Sequence, residues 1–302
     1  MLDTYQDKLG PMIIDFHTHI LPDEFRSEKQ RILKVDKTFN LMFGHKSPLT
    51  VSGQDLISEM DSSGVDVAVV LGYGWTDQGV ARTANDYLIE TATSHPERIK
   101  AFCSVNPLWG DSAVAEIERC AALGAYGVGE LHADTQGFTS TQEDALRPFM
   151  QAAADLGLIV LIHGSEPLGH IYPGKGRMTP DRLLSLAQIF PQVRFVFAHW
   201  GGGLPFYALM PEVDDAINNT WFDSAASPYV YKKEIFDVAS RSAGPQRLLF
   251  GSDYPLVSQS HALSQLRAAG LGSRRTELVQ GENAAVLLGL RNCKTTGTRV
   301  AI

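Results

Sequence analysis

The stretch Ile13-Ile14-Asp15-Phe16-His17-Thr18-His19 decides how this sequence is interpreted. The apolar run at residues 12–16 is typical of a buried strand, and it leads into two histidines separated by one residue. Side chains two positions apart on a strand point to the same face, so His17 and His19 are expected to lie side by side. Two such imidazoles can bind one transition-metal cation. The pair alone is weak support for a metal, because it equally fits an ordinary hydrogen-bonded or exposed pair.

The composition is that of a globular protein with a large core. The chain has 302 residues, of which 44% are hydrophobic and 20% are charged. A closed α/β barrel of about 250 residues with insertions would use nearly the whole chain as one domain. We predict an N-terminal extension at residues 1–11, a barrel at residues 12–290 and a C-terminal tail at residues 291–302.

Charge and cysteine content exclude several classes of partner. The net charge of -8 gives no electrostatic footprint for nucleic acid or for an anionic membrane. No apolar run approaches the roughly 18 residues that a membrane-spanning helix needs. The three cysteines have no Cys-x-x-Cys spacing and are interpreted as reduced thiols. The first ten residues lack the layout of a signal peptide. We therefore expect a cytoplasmic protein that acts on a small molecule.

Apolar runs and amphipathic stretches alternate along the chain. The runs are apolar throughout, as parallel strands covered on both faces require. Each run is followed by a helical pattern, and eight such units predict a closed (β/α)8 TIM barrel. An open doubly wound sheet is the alternative, but no Gly-x-Gly-x-x-Gly motif follows the first strand. Residues 21–52 form an insertion without a clear period. The predicted strands are residues 12–16, 67–71, 99–105, 126–131, 158–162, 193–198, 220–223 and 247–250.

Ionisable residues stand where five of these strands end. Barrel enzymes place their sites at the carboxyl ends of the strands, which closure brings to one rim. Singly, His163 is explained as a hydrogen-bonded core histidine and Asp253 as a helix cap, but their joint placement predicts a site for a divalent metal. The residues at these strand ends are His17, His19, Glu130, His132, His163, His199 and Asp253.

Four of these segments also resemble a known family. Ile14-Asp15-Phe16-His17-Thr18-His19, the isolated His163, Ala198-His199-Trp200-Gly201-Gly202-Gly203 and Phe250-Gly251-Ser252-Asp253-Tyr254-Pro255 are similar to motifs of the amidohydrolase superfamily. The branch they resemble most is that of aminocarboxymuconate semialdehyde decarboxylase and its relatives. The resemblance implies a metal-dependent barrel in which His17, His19, His163 and Asp253 bind the principal metal. It implies that His199 binds and orients the reacting group.

Glu130 departs from the superfamily pattern. Many members with two metals carry a carbamylated lysine at the end of the fourth strand, and a glutamate stands there in this sequence. Glu130 is interpreted as a metal ligand, with the alternative that it only accepts a hydrogen bond that orients a histidine. We expect Zn²⁺ as the cofactor, with Mn²⁺ as the alternative, and either one or two ions.

Three functions remain open from the sequence. The first is hydrolysis of an amide, ester or lactone bond by a metal-bound hydroxide, with Asp253 taking the proton and His199 polarising the carbonyl group. The second is non-oxidative decarboxylation, or hydration, of a small unsaturated or aromatic acid at the same metal. The third is a non-catalytic metal-binding protein, which the absence of cysteines at the strand ends disfavours. Because both histidines of the first strand are present, hydrolysis is favoured.

Candidate substrate-binding residues flank this rim. Lys175 and Arg177 are suited to anchor a carboxylate, with solvated surface charges as the alternative. Trp75 is expected either to wall the pocket or to pack beneath the insertion. Residues 204–210 offer an apolar face for a homodimer. The predicted substrate-binding set is Trp75, His132, Glu166, His170, Lys175, Arg177, Trp200 and Tyr254.

Overall fold

The computed structural model describes residues 12–44, 50–172 and 174–290. Within this part of the chain, eight parallel strands pair in sequence order. Phe16 N donates to Phe250 O at 2.8 Å and Asp253 N donates to His17 O at 2.9 Å, which joins the last strand to the first. The predicted (β/α)8 barrel is therefore confirmed. The strands are β1 (Ile14–His19), β2 (Val67–Leu71), β3 (Ile99–Cys103), β4 (Gly127–Leu131), β5 (Ile159–Ile162), β6 (Arg194–Phe197), β7 (Thr220–Asp223) and β8 (Leu248–Leu249).

The strands are apolar on both faces because both faces are covered. Every residue of β1 to β5 is buried. Inside the barrel, Phe16 packs edge-on against Phe102 with ring centroids 5.7 Å apart. Outside it, a larger cluster fills the space between the sheet and the helices. In register, Ile14 lies opposite Val67 on the neighbouring strand. This packing fixes the strand ends and hence the rim.

The helices between the strands follow the sequence pattern closely. The first of them, Gly53–Ser63, begins after Ser52, which forms a capping box with Asp55, and ends at Gly64. The barrel helices are Gly53–Ser63, Gln78–Ser94, Asp111–Ala122, Glu143–Asp155, Pro180–Ile189, Pro211–Ala216, Ile235–Ser242, Gln259–Ala268, Ser273–Glu277 and Asn283–Leu287. Shorter helical turns are Pro107–Trp109, Ala133–Gln136, Ala198–Gly201, Leu204–Leu209, Ser227–Val230, Pro245–Arg247 and the π-helical Leu278–Glu282.

The helical segments after β6 and near the end of the barrel are each divided. Residues 204–217 form a 3₁₀ helix, Leu204–Leu209, followed by a separate α-helix that starts at Pro211. Proline has no N–H to continue the first helix, and its fixed φ suits the first turn of a new one. Residues 276–288 pass through a π-helical segment, Leu278–Glu282, where Gly281 packs against the Met12 carbonyl group.

The insertion after β1 is helical, contrary to the prediction of an irregular stretch. It contains Asp23–Ser27, Lys29–Val35 and Lys37–Phe43. Such short helices show no clear period and depend on tertiary packing. Asp36 provides part of it, because its carboxylate accepts hydrogen bonds from the N–H groups of Phe39, Thr76 and Asp77.

Several predictions cannot be followed in the structure. The extension at residues 1–11, the tail at residues 291–302 and residues 45–49 of the insertion lie outside the described residues. Among the helices of the described chain, none has the length and apolar character that crossing a bilayer demands.

Candidate metal centre

The two histidines of β1 face each other at the rim. His17 Nδ1 lies 2.9 Å from Asp223 Oδ2, and His19 Nδ1 lies 3.2 Å from the carbonyl oxygen of Leu71. Both partners are acceptors, so in the neutral rings each Nδ1 carries the hydrogen and each Nε2 carries a lone pair. The two Nε2 atoms are only 3.1 Å apart. Two lone pairs this close fit a cation that both of them bind.

Two carboxylates lie beside this imidazole pair. Asp253 Oδ1 is 3.7 Å from His17 Nε2 and 3.5 Å from His19 Nε2. Glu130 Oε2 is 3.6 Å and 3.7 Å from the same two atoms. Donor atoms of His17, His19 and Asp253 lie within 4.8 Å of one another, and so do those of His17, Glu130 and His199. Mixed imidazole and carboxylate donors suit a divalent transition metal, so these residues fit such an ion.

The second oxygen of Glu130 faces two more histidines. Glu130 Oε1 lies 2.8 Å from His163 Nδ1 and 3.2 Å from His199 Nε2. His199 Nδ1 lies 3.1 Å from the carbonyl oxygen of Ala225. His163 Nε2 is buried and has no hydrogen-bond partner among the described residues. Glu130 therefore stands between the β1 pair and the histidines that follow β5 and β6.

A left-handed turn after β6 aims His199 into the rim. His199 and Trp200 have φ values of 55° and 59°, in the left-handed region. The backbone N–H of His199 donates to Asp223 Oδ1 at 3.0 Å, which helps to hold this turn. The turn directs Trp200 away from the rim, where its Nε1 donates to Ser227 Oγ and its ring packs edge-on against Phe236. Trp200 thus belongs to the outer core.

Burial and charge act against each other in this centre. Burial alone would raise the pKa of Glu130, but the charges and hydrogen bonds of His163 and His17 hold the pKa well below its usual value. The pKa of Asp253 is likewise lowered by the β1 imidazoles against the effect of burial. Burial lowers the pKa of His199, yet Glu130 and Asp253 outweigh it and raise the pKa to about 9. Both carboxylates are ionised at neutral pH, the form that binds a cation.

Asp223 was not predicted as a site residue. This residue is fully buried at the end of β7 and accepts hydrogen bonds from the His17 ring and from the backbone of His199. The signal was present, because the predicted strand at residues 220–223 ends in an aspartate, as the eighth strand is followed by Asp253.

Among the substrate-binding candidates, His132 lies next to a histidine of the metal centre. Its ring stacks on His163 with centroids 4.7 Å apart, and its Nε2 lies 3.0 Å from the carbonyl oxygen of Gly174. Tyr73 stacks on His19 at 4.0 Å and forms one side of the rim. Glu166 is partly buried and accepts a hydrogen bond from Tyr172.

Two aromatic candidates are engaged by other parts of the fold. Trp75 is fully buried and packs against Phe25 of the insertion, the alternative that the sequence had left open. Tyr254 is partly buried and packs against the larger apolar cluster between the sheet and the helices.

The basic candidates of the loop after β5 have other partners. Lys175 Nζ donates to the carbonyl oxygens of Leu168 and His170, at 2.6 Å and 3.1 Å. Arg177 Nε donates to Asp134 Oδ1 at 2.8 Å, and its side chain is 80% exposed. The side chain of His170 is exposed as well.

Fold and site together define an α/β barrel whose rim carries a set of donors that fits a divalent metal. The profile of the amidohydrolase family matches residues 14–290, and the chain belongs to this family. It is therefore an enzyme of the amidohydrolase superfamily, as the motifs implied. A 2-amino-3-carboxymuconate-6-semialdehyde decarboxylase from Dictyostelium discoideum is 23% identical, over 92% of this chain and 91% of that protein. A 6-methylsalicylic acid decarboxylase from Penicillium expansum is 29% identical, over 58% of this chain and 63% of that protein.

A solved structure shares the fold. It is a 5-carboxyvanillate decarboxylase from Novosphingobium aromaticivorans in complex with manganese and 4-hydroxy-3-methoxy-5-nitrobenzoic acid. Its TM-score is 0.73 at 18% identity, covering 93% of this chain and 96% of that one.

These comparisons correct the preference for hydrolysis. The curated relatives are decarboxylases, and some of them match this chain over most of its length. The preference for hydrolysis, which was based on the two β1 histidines, is therefore wrong. The donor set fits a divalent metal, and nothing in it singles out zinc.

Proposed function

We propose that this enzyme is a metal-dependent, non-oxidative decarboxylase of a small aromatic or unsaturated carboxylic acid. The observation that carries the proposal is the pair of Nε2 atoms 3.1 Å apart on His17 and His19, with Asp253 and Glu130 beside them. These four residues would hold a cation at the rim, where a substrate carboxylate could reach it. The relatives named above support decarboxylation as the chemistry that this centre performs.

We propose one cation rather than two. The two donor clusters share His17. The Nδ1 atom of His17 is engaged by Asp223, so this ring has only Nε2 left to bind an ion. His17, His19 and Asp253 would bind that ion, and Glu130 would face it with Oε2. Oxygen and nitrogen donors in this mixture accept Mn²⁺ or Zn²⁺, and the manganese in the structural neighbour favours Mn²⁺.

The bound cation would supply Lewis-acid stabilisation of negative charge on the substrate. The chain supplies the proton. His199 Nε2 points into the rim, and the Ala225 carbonyl group on the far side of its ring fixes its orientation. We propose that this nitrogen protonates the carbon that carries the carboxylate. The bond from that carbon to the carboxylate then breaks and carbon dioxide leaves, so the carbon has exchanged a carboxylate for a proton.

Release of carbon dioxide tests the proposal. Protein loaded with Mn²⁺ is incubated with carboxyl-labelled 6-methylsalicylic acid and 2,6-dihydroxybenzoic acid, and released carbon dioxide is trapped. We expect metal-dependent release, reduced about 100-fold or more in His199→Asn, as loss of a general acid implies. Glu212→Gln, on an exposed helix, is the control. Cleavage of amide, ester or lactone probes without release from any carboxylated probe would refute decarboxylation.

A further inference from the structure

Glu166, on the loop that follows β5, has one carboxylate oxygen without a hydrogen-bond partner among the described residues. Its Oε2 accepts a hydrogen bond from the Tyr172 hydroxyl at 3.3 Å. Its Oε1 is buried and has no hydrogen-bond partner within the described residues. A buried polar atom of this kind costs free energy unless something donates to it.

The basic residues of the same loop do not neutralise Glu166. Lys175 donates to two backbone carbonyl groups, and Arg177 pairs with Asp134. No salt bridge joins Glu166 to a basic side chain in the described part of the chain. The carboxylate is instead bordered by phenols, which offer neutral donors.

Glu166 belongs to the same rim as the metal centre. A Cβ atom built on Gly202 would lie 2.2 Å from Ser165 O and 3.2 Å from Glu166 N, so the turn after His199 packs directly on this loop. The pKa of Tyr172 is raised by burial first, then by the charge of Glu166 and also by that of Glu130. The charges of the loop carboxylate and of the metal-centre carboxylate therefore both act on the Tyr172 hydroxyl.

A second phenol borders the turn after His199. A Cβ atom built on Gly203 would lie 3.5 Å from the Tyr231 hydroxyl, and the pKa of Tyr231 is raised by burial first and then by the nearby Glu166 carboxylate. The two tyrosines thus bring neutral hydroxyl groups close to one carboxylate. Such a pocket accepts a polar, hydrogen-bearing substituent better than an anion or an alkyl group.

We propose that Glu166 Oε1 accepts a hydrogen bond from a hydroxyl or amino substituent of the bound carboxylic acid, and so selects hydroxy- or amino-substituted acids. The inference rests on the proposed function, because it assumes that the carboxylate of the same molecule lies at the metal centre. An ionised carboxylate only accepts hydrogen bonds, so an ether oxygen at this position would place two acceptors together. Sites of this kind discriminate strongly against analogues that lack the donor.

Binding of matched acids to the protein loaded with Mn²⁺ tests this inference without turnover. Dissociation constants are measured by calorimetry for the meta- and para-hydroxybenzoates and for the corresponding methoxybenzoates. We expect at least one hydroxybenzoate to bind about tenfold more tightly than its methoxy analogue. This ratio should fall to about one in Glu166→Ala, and it should fall or reverse in Glu166→Gln, whose amide can donate to the ether oxygen.

The control is Glu212→Gln, which should keep the ratio of the unaltered protein, and circular dichroism checks that each variant is folded. An unchanged ratio in folded Glu166→Ala or Glu166→Gln would overturn the inference. So would equal binding of hydroxy and methoxy acids by the unaltered protein, or no binding of any of the four. Selective binding that depends on Glu166, without carbon dioxide release, would instead count against the proposed decarboxylation alone.

Discussion

Asp223 Oδ2 lies 2.9 Å from Nδ1 of His17, and both side chains are completely buried. The other oxygen, Oδ1, accepts the backbone N–H groups of His199 and Ala225, each at 3.0 Å. One carboxylate at the end of β7 therefore orients a histidine of β1 and the turn that follows β6. Partners of this kind fix the tautomer of a metal-binding imidazole and raise its basicity.

Replacing Asp223 with Asn should weaken metal binding without unfolding the barrel. The amide no longer favours the His17 tautomer with hydrogen on Nδ1, and we expect metal affinity to fall by roughly 10- to 100-fold. Competition with a fluorescent chelator measures the effect. Asp144→Asn, on an exposed helix start, is the control. An Asp223→Asn variant with unaltered affinity would refute this role.

Removal of the metal should lower thermal stability. A ligand present at a thousand times its dissociation constant stabilises the native state by about 4 kcal/mol. For a domain of this size, each kcal/mol shifts the melting temperature by roughly 2 °C, so chelation should lower the melting temperature by about 8 °C. Differential scanning calorimetry with and without chelator measures this. A protein carrying His17→Ala and His19→Ala should not respond to chelator, and an equal response there would place the metal elsewhere.

Glu116 should contribute stability that depends on pH. Burial alone would raise its pKa, but hydrogen bonds from Arg119 and Asn85 outweigh burial and lower the pKa below 4.5. A lowered native pKa means that the stabilisation is present above the unfolded pKa and is lost as pH falls through the native pKa. Glu116→Gln should therefore cost about 1–2 kcal/mol at neutral pH, allowing for its partial exposure.

Urea unfolding of the Glu116→Gln variant at several pH values checks the sign. The difference in free energy of unfolding between the variant and the unaltered protein should shrink as pH falls below about 4.5. The exposed Glu118→Gln variant should show little difference at any pH. A difference that grows on acidification would contradict the assignment.

Gly202→Ala should disturb the rim as well as the fold. Gly202 has φ 61°, and its added Cβ would lie 2.2 Å from the carbonyl oxygen of Ser165. Gly270 has a similar φ of 68°, and a Cβ atom added there would meet no described residue within 4 Å, so Gly270→Ala measures the backbone cost alone, about 1–2 kcal/mol. We expect Gly202→Ala to lose more stability than Gly270→Ala in urea unfolding, and also to bind benzoates more weakly. Equal losses would show that the loop after β5 yields freely.

The barrel could be predicted because the local sequence marks each of its strands. Runs such as Val67–Leu71 are apolar at every position, and helix ends at residues such as Gly64 are marked by glycine. The helices of the insertion could not be predicted. They are short and depend on contacts such as those of Asp36 with Thr76 and Asp77, which are distant in sequence.

The site was predictable as a set of strand ends, but not in its orientations. His17 and His19 share a face by strand geometry alone. The outward direction of Trp200 depends instead on left-handed backbone angles that the sequence does not display. Lys175 donates to backbone carbonyl groups and Arg177 pairs with Asp134, and these partners come within reach only in the folded chain. Asp223 was visible at the end of its strand, but no neighbouring histidine drew attention to it.

Anomalous diffraction at the manganese edge, from crystals of the Mn²⁺-loaded protein, tests the central claim most directly. One ion should give a single strong peak about 2.0–2.3 Å from Nε2 of His17, from Nε2 of His19 and from a carboxylate oxygen of Asp253, the usual range for nitrogen and oxygen ligands. A peak at a different part of the molecule, or a peak that leaves His17 and His19 unbound, would contradict it.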